Sequence, residues 1–411
     1  MIDLKKVREH LEEYKQVCIN KNVDIDVDNI LNLDEQRKVL QQDIDAKKNE
    51  QKLAGKSGDY EKAKTMKVEI QNLEEQYTAV VEELHALNLK MPDFVHPDVP
   101  IGKSEDDNVV TETWGEIPDF DFEIKDHVEL MEGLDMLDVK RGVKLAGARS
   151  YFLKGAGALL ENAVLQYTFE KIVNKGYQVL SVPNIVNYEA FRGTGYFPGG
   201  EEDAYQLERD EKWLIATAEI PLAGYHSDEL LTEEELPKKY VAMSPCYRRE
   251  AGTYGKDTRG LYRIHQFQKV EQVVIIPADE KMLNQFHQEI LYNAKQILED
   301  LNIPHRVLHL CTGDLAIGKY NSHDLECWMP SRNSYGETHS ATSFLEFQSR
   351  RLNLRYKDSE GNNKYCYTLN CTAIASPRIL IPLIENNQTA DGKIKIPEVL
   401  RKYFGGKEII G

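Results

Sequence analysis

Ser244–Gln272 reads SPCYRREAGTYGKDTRGLYRIHQFQKVEQ. An apolar run ends here in Cys-Tyr-Arg-Arg-Glu and opens into a segment with three glycines, Gly252, Gly255 and Gly260, which also carries Lys256 and Arg259. A β-rich run then returns through Tyr262, Ile264, Phe267 and Val270, so the stretch reads as two strands joined by a loop. Paired strands bring Arg248, Arg263, Phe267 and Glu271 within reach of one another. Two guanidiniums, an aromatic plate and a carboxylate suit a polyphosphate, an adenine ring and an ammonium group. Alternation places Arg248 and Glu250 on one face of the first strand, and Glu271 shares a face with Phe267. The plain alternative is a solvated surface hairpin, and the density of specific residue types weighs against it.

Working outward, the first hundred residues have a different texture. Met66, Ile70, Leu73, Tyr77, Val80, Leu84 and Leu87 advance by alternating steps of four and three, a heptad seam. An earlier helix, from about Asn29 to Ala54, carries Leu33, Leu40, Ile44 and Leu53 more loosely. Between them Gly55–Asp59 supplies a helix stop and a fresh N-cap. Two long helices joined by a short turn predict an antiparallel coiled-coil arm. Seven lysines (Lys47, Lys48, Lys52, Lys56, Lys62, Lys64 and Lys67) face three acids between positions 47 and 67, making the tip net +4 in a chain of net charge −17. A solvated helix tip is the ordinary reading of such a cluster. It also suits phosphate-backbone contact, which a locally basic surface can make on an acidic protein.

Residues 91–108, MPDFVHPDVPIGKSEDDN, cannot continue a helix and read as a linker. Beyond it, strand-like runs at 177–183, 212–217, 240–245, 270–277 and 305–311 alternate with amphipathic helices. The expected fold is α+β: an N-terminal helical arm and linker over 1–108, then a mostly antiparallel sheet flanked by helices over 109–411. No G-x-x-x-x-G-K-S loop is present, so a nucleotide would have to bind on the sheet. Six scattered cysteines without a C-x-x-C pair argue against a disulfide framework or a cysteine-rich zinc site. The charged, helical start resembles no signal peptide and no run reaches membrane-spanning length, so a soluble cytoplasmic protein is expected.

Three further segments carry candidate chemistry. Thr217-Ala218-Glu219 closes an apolar strand before Pro221, where an N-cap with a first-turn acid is the structural alternative. Glu337-Thr338-His339-Ser340 offers an acid with polar neighbours that could hold Mg²⁺ on phosphates. In TLNCTAIASPRILIPLIENN (368–387), Asn370 and Thr372 leave a strand end and Arg378 enters a helix, where it could meet a γ-phosphate.

Together with MIDLKKVREH, GTGYFPGGEEDAYQL (193–207), TAEIPLAGYH (217–226) and IPEVLRKYFGG (396–406), these segments resemble seryl-tRNA synthetases, which are class II aminoacyl-tRNA synthetases, from end to end. The resemblance puts Pro183 in the dimer-interface motif and Ser244–Gln272 and the stretch ending at Arg378 in the two catalytic motifs. It implies a serine–tRNA ligase: activation of L-serine with ATP and Mg²⁺, then acylation of tRNA-Ser, and of tRNA-Sec where the host has it, by a cytoplasmic homodimer. It assigns ATP to Arg248, Arg249, Glu250, Ile264, Phe267, Glu337, Thr338, His339, Ser340 and Arg378. Of these, Arg248 and Arg378 would be catalytic, and Glu337 and Ser340 would hold Mg²⁺ through ATP. It assigns serine to Thr217, Ala218, Glu219, Glu271, Asn370 and Thr372, and the arm lysines to tRNA. Two stretches depart from the family's usual wording. Residues 311–330 keep the ends of that wording but lack its glycine-aromatic pair in the middle, and at 336–346 Gly336, Ser343 and Glu346 stand for arginine, asparagine and aspartate. The competing readings are an inactive tRNA-binding paralogue and a ligase that loads a carrier protein, and the arm speaks against the latter.

Overall fold

The computed structural model describes residues 1–251 and 260–411, so Gly252, Gly255, Lys256 and Arg259 lie outside the described residues. Two compact units emerge, Met1–Phe94 and Val95–Gly411, with the boundary inside the proline-rich linker.

The first unit is built on two long helices, α1 (Val27–Lys56) and α2 (Tyr60–Asn88). Each starts on an aspartate cap: Asp26 accepts from the Asn29 amide and Asp59 from the Lys62 amide, satisfying first-turn donors. Between them Gly58 takes φ +81°, a left-handed conformation that costs glycine little. Met66, Ile70 and Leu84 of the heptad seam are buried against α1, which contributes Leu33 and Ile44. Leu53 does not join the seam. It is 66% exposed, and Ala54 turns inward in its place. The helix runs two residues past its expected end, so the inward stripe there falls on Ala54.

The second unit is organised by an eight-stranded sheet. Its strands are β1 (Val109–Trp114), β2 (Gln178–Val179), β3 (Lys238–Tyr247), β4 (Gln266–Ile276), β5 (His305–His309), β6 (Asn321–Met329), β7 (Ser334–Phe344) and β8 (Tyr367–Ser376). They lie in the order β1-β5-β6-β7-β8-β4-β3-β2, antiparallel throughout except for the β2–β3 pair. Helices α3 (Ala156–Asn174) and α4 (Glu280–Asp300) pack on the sheet. Alternation along β4 sorts its residues: Gln272 meets Asn293 of α4 at 2.8 Å, while Phe267, Lys269 and Glu271 point to the other side and line a cavity. Farther along that second face, Val273 and Ile275 are sealed by Ala218, Leu222, Leu352 and Leu354. One end of this face is therefore core and the other is site.

Candidate active site

The cavity encloses about 820 Å³ over β4, β6, β7 and β8. β3 ends at Tyr247, so Arg248 and Glu250 are not placed by strand alternation as the sequence suggested. They sit on an irregular exit. The Arg248 amide donates to the His265 carbonyl at 3.0 Å, and Glu250 adopts φ 54°, a left-handed conformation that costs a non-glycine residue about 1–2 kcal/mol. Tyr262 and Ile264 likewise precede β4 instead of lying on it. The chemistry survives the change: the Arg248 guanidinium lies 5.4 Å from the Phe267 ring, and Arg263 pairs with Glu250 at 3.2 Å. A cation facing an aromatic plate, with a second ion pair beside it, is a ready seat for a phosphorylated planar group.

Deeper in the cavity the register does the positioning. Glu271 pairs across the sheet with Thr372, whose hydroxyl donates to its carboxylate at 3.4 Å. Lys269 is buried beside them. Its ammonium lies 2.5 Å from Glu271 and donates to the Thr217 hydroxyl at 2.6 Å. Glu219 is buried nearby, and its carboxyl is held above the ordinary range, first by burial and then by the Glu271 charge. Two buried carboxylates share one fixed cation, which leaves them suited to a second ammonium.

A third group sits on the β6–β7 hairpin. The register shifts between Leu325 and Glu326, whose partners are His339 and Glu337, so Thr338 is an extra residue on β7. This bulge lets Glu337 and Ser340, three apart, both face the cavity. Asp324 lies opposite Ser340, and the Asp324 Oδ1 and Ser340 Oγ atoms are both buried with no hydrogen bond of good geometry among the described residues. Asp324 is pushed upward first by burial and then by the Glu337 charge. One or two carboxylates with a hydroxyl, completed by phosphate oxygens, is the donor set a Mg²⁺ ion takes, so these residues fit the ion. Arg378 stands at the rim. It precedes its helix (Leu380–Asn386), stacks 4.4 Å from the Tyr262 ring and donates to the Glu337 carbonyl at 3.3 Å.

Residues 1–95 match the family described as the seryl-tRNA synthetase N-terminal domain, and residues 204–387 match the tRNA synthetase class II core domain (G, H, P, S and T). A serine–tRNA ligase of Deinococcus radiodurans is 41% identical over all of this chain and 99% of its own length. The chain belongs to the seryl-tRNA synthetase family. Solved structures of family members agree in fold. The Pyrococcus horikoshii seryl-tRNA synthetase complexed with ATP superposes with a TM-score of 0.93 at 33% identity, covering 100% of this chain and 99% of that one. The cytoplasmic serine–tRNA ligase of Naegleria fowleri in complex with AMP gives 0.89 at 30% identity, over 97% and 95%.

Within this seryl-tRNA synthetase family site, the cavity gathers Arg248, Glu250, Ile264, Phe267, Glu337, Thr338, His339, Ser340 and Arg378, together with Glu219, Glu271, Asn370 and Thr372. Three expected residues do not line it. Arg249 is exposed, with its amide on the Asp203 carbonyl. Ala218 is core, and Thr217 is fully buried beneath Lys269. His339 faces the cavity but its ring is engaged elsewhere: Nδ1 meets the Thr338 hydroxyl at 2.8 Å and Nε2 the Ala373 carbonyl at 3.0 Å. Burial pushes that imidazole down to about 3, so it stays neutral. Lys269, Asp324 and Tyr196, whose hydroxyl donates to Glu219 at 3.1 Å, also line the cavity and were not among the residues expected there. Lys269 could have been found, since alternation places it between Phe267 and Glu271 on their face. Asp324 and Tyr196 reach the site through strand pairing and loop packing, which no local pattern announces.

On the arm, two of the seven lysines are already paired: Lys47 with Glu69 and Lys48 with Glu74, each at 2.7 Å. Among the described residues no helix is long and apolar enough to cross a membrane.

Proposed function

We propose that the chain is a serine–tRNA ligase that activates L-serine with ATP and transfers the seryl group to tRNA-Ser. The observation that carries this reading is the full-length match to a serine–tRNA ligase, joined to a cavity whose two ends suit the two substrates. In the first step a serine carboxylate oxygen attacks the α-phosphorus and the bond to pyrophosphate breaks. No general base is needed, because the nucleophile is already an anion. Arg248 forks onto the α-phosphate and stabilises the charge that develops there, while the adenine stacks on Phe267. Arg378 takes the γ-phosphate. Glu337 and Ser340 would hold Mg²⁺ through the phosphates, and the ion would supply further charge neutralisation there.

Glu271 and Thr372 accept and donate hydrogen bonds at the serine hydroxyl, and Glu219, which lines the same cavity, takes the ammonium. Alanine would leave the buried polar pair without a partner, which supports selection for serine. The arm lysines bind tRNA by phosphate and shape, without reading bases, and tRNA-Sec is a second substrate where the host has one. A cytoplasmic homodimer completes the reading. Its support is the set of exposed apolar residues Leu145, Phe152, Leu159, Val179 and Ile185, spread over the stretch of chain that leads to and includes Pro183.

ATP–pyrophosphate exchange tests the assignment over a panel of serine, threonine, alanine and glycine. Exchange with serine well above the other three is expected. Silence over the whole panel, or a preference for alanine, overturns it.

A further inference from the structure

Behind the cavity wall, outside every role assigned so far, stands Gln348. It lies on the short helix Phe347–Leu352 and is 1% exposed. Its amide nitrogen donates to Glu219 Oε1 at 2.8 Å and to the Thr194 carbonyl at 3.2 Å, and its oxygen accepts from the Thr368 hydroxyl at 2.6 Å. Both amide donors and the oxygen are therefore engaged. The arrangement also has one orientation: a flipped amide would set its oxygen against two acceptors and its nitrogen against the Thr368 hydroxyl. On the other side of the same carboxylate, the Tyr196 hydroxyl donates to Glu219 Oε2 at 3.1 Å.

The backbone around this group is tightly held. A Cβ on Gly193 would stand 2.1 Å from the Leu352 Cδ2 atom, and one on Gly195 would stand 2.6 Å from the Phe347 ring. The helix bearing Gln348 is thus seated directly on the loop that brings Tyr196 to the site. Glu219 faces the cavity, Gln348 does not, and each donor occupies a different carboxylate oxygen. What remains of the carboxylate for a ligand is aimed by those two bonds.

We infer that Gln348 is a positioning residue for amino-acid recognition, pinned by Thr368 and holding the Glu219 carboxylate toward the substrate ammonium. The inference rests on the serine-site reading of Glu219 given above. Its physical content is that a neutral amide donor favours the anionic form of an acid that burial and then the Glu271 charge push toward protonation. The Lys269 ammonium and the Tyr196 hydroxyl act in the same direction as the amide. Without that donor Glu219 both swings and takes up a proton more readily.

Gln348→Met keeps the volume and removes the donors. In serine-dependent pyrophosphate exchange it should raise the KM for serine by about tenfold or more, as expected for losing a charge-assisted hydrogen bond, with the KM for ATP within about twofold of the parent. The acid limb of kcat/KM for serine should move to higher pH, so the deficit narrows between pH 7 and 9. Thr368→Val, a near-isosteric change that acts only through the amide, should shift the same two readouts in the same direction by a smaller factor, and it decides the matter if Gln348→Met does not fold. Glu219→Gln is the reference variant. If it raises the serine KM while folded Gln348→Met and Thr368→Val leave both the KM and the pH limb in place, Gln348 has no positioning role. Equal losses for ATP and serine in Gln348→Met also overturn the inference, since they would mark a general packing defect. If Glu219→Gln leaves serine binding intact, the serine-site reading of Glu219 itself fails, and this inference with it.

Discussion

Lys269 and Glu271 form a buried ion pair, with 5% and 2% of each residue exposed, and the pair joins stability to recognition. Removing one partner of such a pair strands a charge in a poorly solvated interior, which typically costs about 3–5 kcal/mol. Glu271→Ala should therefore lower the urea midpoint as well as abolish serine-dependent exchange. Adding Lys269→Met should recover much of the stability and none of the activity, so a double variant as unstable as the single one would contradict the pairing. Arg248 behaves differently, because its guanidinium works at the cavity face. Arg248→Ala should eliminate adenylate formation and leave tRNA affinity within about twofold, read by exchange and by filter binding. These roles were partly legible in residue types. A strand carrying Phe267 and Glu271 at spacing four announces one face, and Lys269 belongs to it by the same rule. The place of Glu250, on a left-handed exit, was not legible, since alternation gives no warning of where a strand stops.

At the level of elements, the arm divides its lysines into two kinds. Lys47 and Lys48 reach across to Glu69 and Glu74 of the facing helix, and exposed pairs of this sort contribute about 0–1 kcal/mol each. In the proposed contact with tRNA they would enter as partly neutralised charges. Replacing Lys52, Lys56, Lys62, Lys64 or Lys67 by Gln should reduce the slope of log Kd against log salt by roughly 0.7–0.9 for each phosphate that is no longer neutralised. Lys47→Gln and Lys48→Gln should reduce it less, and equal slopes for the two groups would remove the distinction. Removing residues 30–90 should abolish tRNA binding and spare exchange. Leu53 supplies a stability check of the helix phase. Being 66% exposed, it should tolerate Leu53→Gln within about 0.5 kcal/mol, whereas Ile44→Ala, at 3% exposure, should cost about 2–5 kcal/mol. The heptad made the hairpin readable, because a 3.5-residue period buries one seam wherever the partner lies. The phase near the tip was lost because a loose pattern of four residues does not fix rotation over 30 residues.

Across the whole second unit, a buried cluster of histidines sets a limit on acid tolerance. His287 of α4 meets His323 of β6 at 2.8 Å, His309 of β5 stacks on His323 at 4.3 Å, and His309 bonds Asn321 at 2.8 Å. Burial lowers all three imidazoles, His323 to about 3, and repulsion from the neighbouring histidines, His96 among them, lowers them further; at His309 the Asn321 hydrogen bond and then Asp98 oppose this in part. The folded state thus binds fewer protons than the unfolded chain, whose imidazoles titrate near 6.5. Stability is therefore fully present above pH 6.5 and is lost as pH falls toward the folded values. Urea midpoints should drop steadily from pH 7 to pH 5, and His323→Gln should flatten that dependence; an unchanged slope would show that the cluster does not govern it. The chain's own order of residues determined the helical arm, the α+β class, the strand pair within 244–272 and many of the cavity-lining side chains, because these follow from short periodicities and from residue chemistry. Tertiary structure alone decided that Asp324 lies opposite Ser340, that Gln348 stands behind Glu219, and that three histidines from separate segments share one interior. Those meetings depend on strand order and on a single-residue bulge, and pairing between distant segments leaves no local period in the sequence to read.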